Sequence, residues 1–137
     1  MRTHAFRLTR GQDLREGIEA YLHAHAIEAA AVVACVGCVS RARVRDAGGE
    51  RIREICAPME IVSVTGTVSI HRTHLHIALS REDLGAVGGH LVCGCIVNTT
   101  AEVVLLELED CVFLPRFDPQ TGYHDLHIAP KRQQEDP

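Results

Sequence analysis

The sequence predicts an α+β domain in which one main α-helix packs on a mostly antiparallel β-sheet. The chain has 137 residues, which is a usual length for a single domain. Hydrophobic residues make up 46% of the chain but aromatic residues only 4%, so the core must be mainly aliphatic, which favours strands. One segment has helical periodicity and several have strand patterns, and this mixture without βα alternation is typical of the α+β class.

The N-terminal segment predicts a short strand followed by the helix. His4–Leu8 alternates weakly between polar and apolar residues, and Gly11 then interrupts the pattern. Asp13 and Glu16 have the spacing of a capping box. Apolar residues follow at helical spacing, so we expect a helix from Asp13 to about Ala26.

The segment after the helix predicts a long extended region. Residues 30–39 are almost continuously apolar and predict a strand buried on both faces, in which Gly37 marks a bend or a bulge. From Arg41 to Arg45 polar and apolar residues alternate, which indicates one solvent-exposed face. Ala47–Gly49 predicts a turn.

The rest of the chain predicts further strands. They cover Ile52–Cys56, Glu60–Ile70, Thr73–Ser80, Gly88–Val97, Ala101–Glu109 and Phe113–Phe117. We expect a loop at residues 81–87 and a turn or a crossing at Asn98–Thr99. The domain is expected to occupy residues 1–128. Residues 129–137 have nothing to bury, so this C-terminal tail is expected to be disordered.

Charge and hydropathy argue against two classes of protein. The net charge is −4, and an acidic chain is poorly suited to neutralising the phosphates of nucleic acids. No stretch has the apolar region of a signal peptide or approaches the roughly 20 apolar residues of a membrane helix. We therefore expect a cytoplasmic location, no membrane partner, and six cysteines that are reduced thiols.

Three histidines form a candidate metal site. His74 and His76 are two residues apart on a predicted strand, so both project from the face opposite the apolar residues that alternate with them. His90 opens the next strand directly after two glycines, which allow close backbone approach. Three imidazoles are a known ligand set for Zn²⁺, with Fe, Cu and Ni as further candidates. The alternative is that these histidines face solvent or a subunit contact. Glu102 is the candidate for a nearby carboxylate, and no catalytic residue is identified.

The cysteine pairs are weaker candidates for metal or redox chemistry. Cys35 and Cys38 are three residues apart and would face opposite sides of a regular strand, unless the glycine between them breaks the register. Cys93 and Cys95 share a face, but not the face of His90 in a regular strand. We therefore expect these thiols to act as small buried hydrophobic groups.

Arginines form a candidate anion-binding face. Arg41, Arg43 and Arg45 share one strand face, and Arg51 and Arg53 follow the turn. Such a face could bind phosphate. A solvated face with acidic neighbours is the more ordinary alternative. The interleaved aromatic residues of a single-strand nucleic-acid surface are missing.

Several segments, in their order and spacing, resemble the plants-and-prokaryotes-conserved (PPC) domain family. They are Gly11–Leu14, Val36–Ser40, Glu60–Ser69, His74–Ser80, Gly88–Leu91, Thr100–Val104 and Phe117–Tyr123. The resemblance extends from about Phe6 to Leu126. It implies an α+β fold with one main helix, assembled as a homotrimer. It also implies, as in some prokaryotic members, a metal bound by His74, His76 and His90.

The resemblance also bears on DNA binding. Plant members of the family carry an AT-hook, Arg-Gly-Arg-Pro, before the domain. Here the most similar segment, Arg10–Gln12, lacks the second Arg and the Pro, so direct DNA binding is not expected. Two functional classes remain. The first is a trimeric metal-binding protein of unestablished activity, with a small-molecule ligand at the metal and hydrolytic or lyase-like chemistry. The second is a non-catalytic regulatory, DNA-associated or protein-interaction module without a metal.

Overall fold

The computed structural model describes residues 1–131, and within them one helix and nine strands form. They are β1 (Arg2–Thr9), α1 (Leu14–Ala24), β2 (Ala30–Arg45), β3 (Ile52–Ile55), β4 (Met59–Val68), β5 (Thr73–Ser80), β6 (Ala86–Leu91), β7 (Ile96–Glu107), β8 (Cys111–Asp118) and β9 (Tyr123–Pro130). Every pair of neighbouring strands is antiparallel. The predicted α+β class, with a mostly antiparallel sheet and one main helix, is confirmed.

The main sheet curls back on itself. Its order is β1-β7-β2-β4-β5-β6, with β3 paired to β2, while β8 and β9 form a separate two-stranded sheet. The end of β2 also pairs with β6 through Val44 opposite Leu91 and Arg45 opposite His90. Strands β2, β4, β5 and β6 therefore form a closed path, which brings the end of β2 beside the strand that carries His90.

The helix begins as the capping pattern predicts. The Asp13 carboxylate accepts a hydrogen bond from the Glu16 backbone N–H at 3.0 Å. Leu14, Ile18 and Leu22 point into the core and are fully buried. The helix has 11 residues, and no helix in the described part of the chain is long and apolar enough to span a membrane.

β2 is one continuous strand, and Gly37 interrupts its register as predicted. Gly37 has φ +146°, and a Cβ at this position would lie 1.9 Å from the backbone oxygen of Thr100. The pairing of β2 with β7 shifts at this point. The prediction that both faces are buried is wrong, because the side chains of Val33 and Val36 are 62% and 56% exposed. These two valine side chains therefore face outward in a single chain.

The predicted strand over residues 88–97 is wrong because it is two strands joined by a turn. β6 ends at Leu91 and β7 begins at Ile96. Between them the Gly94 N–H, in a backbone with φ +111°, donates to the Asp13 carboxylate. The turn is thus held by the residue that caps the helix, a long-range contact that local apolar patterning does not reveal.

The predicted turn at Asn98–Thr99 is also wrong, because both residues lie inside β7. The neighbouring Val97 exchanges backbone hydrogen bonds with Gly11 and Gln12 at 2.9 Å each, and these extend the pairing at this end of the strand. Further along β7, alternate residues from Ala101 onward face the core. β7 therefore links the N-terminal strand to the centre of the sheet.

The C-terminal part folds into a hairpin that was only half predicted. The expected edge strand at residues 113–117 lies within β8, but β9 was not predicted. β9 continues to Pro130, and the Lys131 ammonium contacts the Glu28 carboxylate at 2.7 Å. β9 therefore extends past the expected domain boundary at 128. The rest of the expected tail, residues 132–137, lies outside the described residues.

Candidate metal centre

Three histidine side chains converge on the outer face of β5 and β6. His74 and His76 project from the same side of β5, and His90 lies directly opposite His76 in the β5–β6 pairing. The ring centroids are 5.0 Å apart for His74 and His76, 5.2 Å for His74 and His90, and 5.6 Å for His76 and His90. One nitrogen from each ring lies within 4.8 Å of the others.

The geometry of these nitrogens fits a divalent metal. Nitrogens bound to one tetrahedral ion at about 2.0–2.1 Å are about 3.3 Å apart. The Nε2 atoms of His74 and His76 are 3.3 Å apart. The Nδ1 atom of His90 is buried and has no hydrogen-bond partner among the described residues. An unpartnered buried nitrogen is costly, and a metal ion would satisfy it.

Two glycines allow β6 to place His90 in this position. A Cβ on Gly88 would lie 2.2 Å from the Ile77 backbone oxygen, and one on Gly89 would lie 2.6 Å from the Arg45 backbone oxygen. β6 can therefore pass between β5 and β2 only because it carries no side chains at these two residues. The predicted role of these glycines in close backbone approach agrees with this geometry.

The surroundings of the histidines favour neutral imidazoles. Burial lowers the pKa of His90 to about 4, and the Arg45 guanidinium beside it acts in the same direction. Burial also lowers the pKa of His74, as do the neighbouring His76 and the guanidinium of Arg72. Because neutral imidazole is the form that ligates metals, His74 and His90 are prepared for binding at neutral pH.

A cleft of about 380 Å³ opens beside His74 and His90. Its walls come from β2, the start of β5, β6 and the β8–β9 hairpin. The lining residues are Arg45, Arg72, Thr73, His74, His90, Pro115, Tyr123, His124 and Asp125. The hairpin thus adds to the site a wall that the sequence reasoning did not include.

Ser69 holds two parts of this cleft together. Its buried hydroxyl donates to the Phe113 backbone oxygen at 2.8 Å and accepts from the Arg72 backbone N–H at 3.1 Å. The Arg72 side chain donates to the Thr67 hydroxyl at 3.1 Å and lies 3.4 Å from Nδ1 of His74. Sequence reasoning missed Arg72, although its spacing of two from His74 is a usable signal.

The structure does not bring Glu102 to the three histidines of its own chain. Glu102 lies on β7, opposite Val36 of β2 and Arg7 of β1, with its side chain exposed. Strands β2 and β4 lie between β7 and β5. Within one chain, Glu102 is therefore too far across the sheet to contact His74 or His76.

Arg41, Arg43 and Arg45 alternate with buried residues on β2, as the predicted arginine face requires, but their contacts differ. The Arg41 and Arg43 side chains donate to the backbone oxygens of Gly94 and Cys93. Arg53, which follows the turn, pairs with the Asp46 carboxylate. Among the arginines of this predicted face, Arg45 alone lines the cleft beside the histidines.

The cysteines are free thiols, all within the described residues. Burial raises the pKa of Cys35 to about 12 and that of Cys95 to about 11. The Cys95 thiol donates to the Arg43 backbone oxygen at 3.4 Å. These two thiols are therefore protonated at neutral pH, as expected of small buried hydrophobic groups.

Two solved structures share this fold over nearly their whole length. A hypothetical protein from Salmonella enterica is 32% identical, with a TM-score of 0.93, and the match covers 96% of this chain and 95% of that one. A metal-containing protein from Archaeoglobus fulgidus is 29% identical, with a TM-score of 0.77, covering 93% of this chain and 94% of that one.

Sequence comparison identifies the family. A curated relative, the bifunctional protein GlmU of Synechococcus sp. strain JA-3-3Ab, is 34% identical over 128 residues, which are 93% of this chain. The chain spans only 21% of that relative's length. The family profile of the Plants and Prokaryotes Conserved (PCC) domain matches residues 1–109. The chain therefore belongs to the PCC domain family, the family that its sequence motifs resemble.

Proposed function

We propose that this chain is a metal-binding protein that holds a divalent ion, with zinc favoured, through His74, His76 and His90. The observation that carries the proposal is the convergence of one nitrogen from each of three imidazoles within 4.8 Å. The lowered pKa values of His74 and His90 support it. The 29% identical Archaeoglobus fulgidus protein is metal-containing, which is consistent with the proposal. Imidazole ligands suit zinc, and also copper, iron and nickel.

The residues of the chain would prepare this centre to receive a small molecule. Three protein ligands leave coordination space on the side of the cleft. A bound divalent ion supplies a Lewis acid that polarises an oxygen atom of a ligand. The β8–β9 hairpin forms one wall of this cleft, and Arg45 and Arg72 line the same space. Hydrolytic or lyase-like chemistry is compatible with such a site.

The test is metal content. The purified protein is loaded with zinc, excess ion is removed, and bound metal is measured by elemental analysis. We expect about one ion per chain in the parent and background levels in His76→Ala and His90→Ala. His23→Ala, an exposed histidine on α1, is the matched control. A parent that holds no metal after loading, or alanine variants that hold as much as the parent, would refute the site.

A second candidate function, an interaction module with structural histidines, has one observation in its favour. The Arg72 side chain, Nδ1 of His74 and the Nε2 atoms of His74 and His76 can form a chain of hydrogen bonds without a metal, at 3.4 and 3.3 Å. In that case the histidines stabilise the outer face of the sheet. The metal measurement separates the two functions, because only the first predicts loss of an ion in the variants.

We also propose that the chain assembles as a homotrimer. The outer faces of β2 and β4 expose Val33, Val36 and Val62. The β8–β9 hairpin is a two-stranded sheet that exposes Phe117 and Ile128. Isolated two-stranded sheets are marginally stable, and clustered apolar surface marks contact sites. Light scattering is expected to give three times the chain mass of 15.0 kDa, and a stable monomer would contradict the assembly.

Direct DNA binding is expected to be weak. The net charge of −4 opposes the neutralisation of phosphates that drives such binding. Fluorescence anisotropy with a duplex probe at physiological salt is expected to show little association. Tight binding that weakens steeply with added salt would overturn this expectation.

A further inference from the structure

We propose that the cleft beside the three histidines binds a small molecule through a carboxylate or phosphate group, held by Arg45 and Arg72. This inference rests on the proposed metal site and names the class of ligand that the site takes.

Arg45 lies beside His90 in the wall of the cleft. It is opposite His90 in the β2–β6 pairing, so the two side chains are neighbours on one face of the sheet. Its Nε atom is buried and has no hydrogen-bond partner among the described residues. Within residues 1–131, no carboxylate lies within 4.0 Å of its guanidinium. A buried N–H donor without a partner is unfavourable, and an anion in the cleft would relieve this.

Arg72 is positioned to become available when a metal is bound. Thr67 holds its Nη1 atom, while Nη2 lies 3.4 Å from Nδ1 of His74. Nε2 of His74 points toward His76 and is the nitrogen placed for a metal. A neutral imidazole that ligates through Nε2 carries its proton on Nδ1. Nδ1 then no longer accepts a hydrogen bond, so the Nη2 donor of Arg72 is free for an oxygen atom in the cleft.

The charges around the cleft favour an anionic ligand. Of the residues that line it, Arg45 and Arg72 are positive and Asp125 alone carries a carboxylate. That carboxylate already accepts a hydrogen bond from the Thr121 hydroxyl at 2.7 Å. Neutral imidazoles add no negative charge, so a divalent ion would leave the cleft strongly positive. Like charges repel strongly in such partly buried space, and a bound anion reduces this repulsion.

The dimensions of the cleft select a small ligand. Its volume of about 380 Å³ is near the lower end of the range for small-molecule pockets, which is about 300–1,000 Å³. Guanidinium groups match the paired oxygens of carboxylates and phosphates and bind them through two parallel hydrogen bonds. A remaining oxygen of the same group could then face the metal, which makes the histidines and the arginines one binding site.

The experiment is calorimetric titration of the zinc-loaded protein with inorganic phosphate and, separately, with malonate. The variants are Arg45→Gln and Arg72→Gln, and the matched control is Arg10→Gln, an exposed arginine outside the cleft. We expect the two cleft variants to keep their metal and melting temperature but to bind the preferred probe about 10-fold more weakly or worse. The control is expected to bind as the parent does. The probe that binds more tightly identifies the ligand as a phosphate or a carboxylate.

The outcomes separate this inference from the proposed metal function. If the parent holds zinc but binds neither probe, or if both cleft variants bind as tightly as the parent, the anion site is refuted and the metal site stands. If the parent holds no metal, the metal site is refuted. The metal-free protein then decides the anion site: binding that depends on Arg45 supports it, and no binding of either probe overturns it.

Discussion

Two groups of side chains in this molecule are built around histidine, and they differ in whether their nitrogens are satisfied. At the junction of β1, α1 and β7, His4 is 8% exposed and contacts the Glu107 carboxylate through Nε2 at 2.8 Å. Its Nδ1 atom lies 3.3 Å from the Tyr21 hydroxyl. Both nitrogens of His4 therefore have protein partners, and the ring packs edge-on against Tyr21.

The three histidines of β5 and β6 are only partly satisfied, since His74 contacts Arg72 at 3.4 Å and His76 at 3.3 Å. No carboxylate lies within 4.0 Å of His74, His76 or His90 in the part of the chain that the structure describes. The Nδ1 atom of His90 is buried and unpartnered, and the rings border a cleft. The comparison shows that clustering of histidines does not define a site. Lone pairs that remain available next to open space distinguish a candidate metal centre from a structural contact.

Removal of one ligand should produce the largest effect and tests the comparison directly. In His90→Ala, we expect zinc affinity to fall by at least about 100-fold, because zinc sites gain about 3 kcal/mol or more from each ligand. Competition with a chromophoric chelator would measure this change. Circular dichroism should show an unchanged fold. An affinity within about threefold of the parent would mean that the ion binds elsewhere.

The same substitution in the other group should affect stability and leave metal binding intact. His4→Ala removes the partner of the Glu107 carboxylate, and Glu107, like His4, is 8% exposed. A buried acceptor that loses its donor destabilises the fold, here by about 2 kcal/mol. Urea denaturation would measure the free energy of unfolding, with His23→Ala as the control. If His4→Ala instead loses zinc, the distinction between the two groups is wrong.

The pH dependence of zinc binding should reflect the lowered pKa values of the ligands. An imidazole binds metal only when it is neutral, so affinity falls as pH drops through the pKa of each ligand. Because the pKa of His90 is about 4 and that of His74 is also lowered, protons compete with zinc at these two residues only below their ordinary range. We therefore expect almost no loss of affinity from protonation of His90 between pH 7 and about pH 5.5, whereas an imidazole with the ordinary pKa of about 6.5 would lose about 8-fold. NMR of the imidazole protons would follow each residue. A steeper loss at both His74 and His90 would contradict their lowered pKa values.

Much of the fold could be predicted because it depends on local patterns. The bounds of β5 were predicted correctly, since Leu75, Ile77 and Leu79 alternate with polar residues and are all buried. The helix start followed from its capping residue, Asp13. The turn between β6 and β7 was missed because a long-range hydrogen bond from Gly94 to that same residue defines it.

The site could be predicted only where it follows from strand periodicity. His74 and His76 are brought together by a spacing of two residues, and His90 by the short connection between β5 and β6. Arg45 and the β8–β9 hairpin reach the same cleft through pairings and contacts that are distant in sequence. Glu102 was proposed because it lies near Thr99 and Thr100, but within one chain the strand order separates it from the histidines.

The smallest expected effect tests whether the cleft depends on a single hydroxyl. The Ser69 hydroxyl links the Phe113 backbone oxygen, at the base of the β8–β9 hairpin, to the backbone N–H of Arg72. His4 is held by Tyr21 and Glu107 instead, so the two groups of histidines should respond differently to the loss of the Ser69 hydroxyl. In Ser69→Ala, the Phe113 carbonyl loses its donor, and the unfolding free energy should fall by about 1 kcal/mol.

Zinc affinity should be unchanged in Ser69→Ala, because the variant leaves all three imidazoles and the strands that carry them in place. The position of Arg72 should become less fixed, so binding of the phosphate or malonate probe should weaken by a few fold, less than in Arg72→Gln. Ser40→Ala is the matched control, since its exposed hydroxyl makes a single long contact within residues 1–131, to the Ile96 backbone oxygen at 3.5 Å. If Ser69→Ala and Ser40→Ala bind the probe equally well, Ser69 contributes only to stability. The arginine would then be positioned by Thr67 and His74 alone.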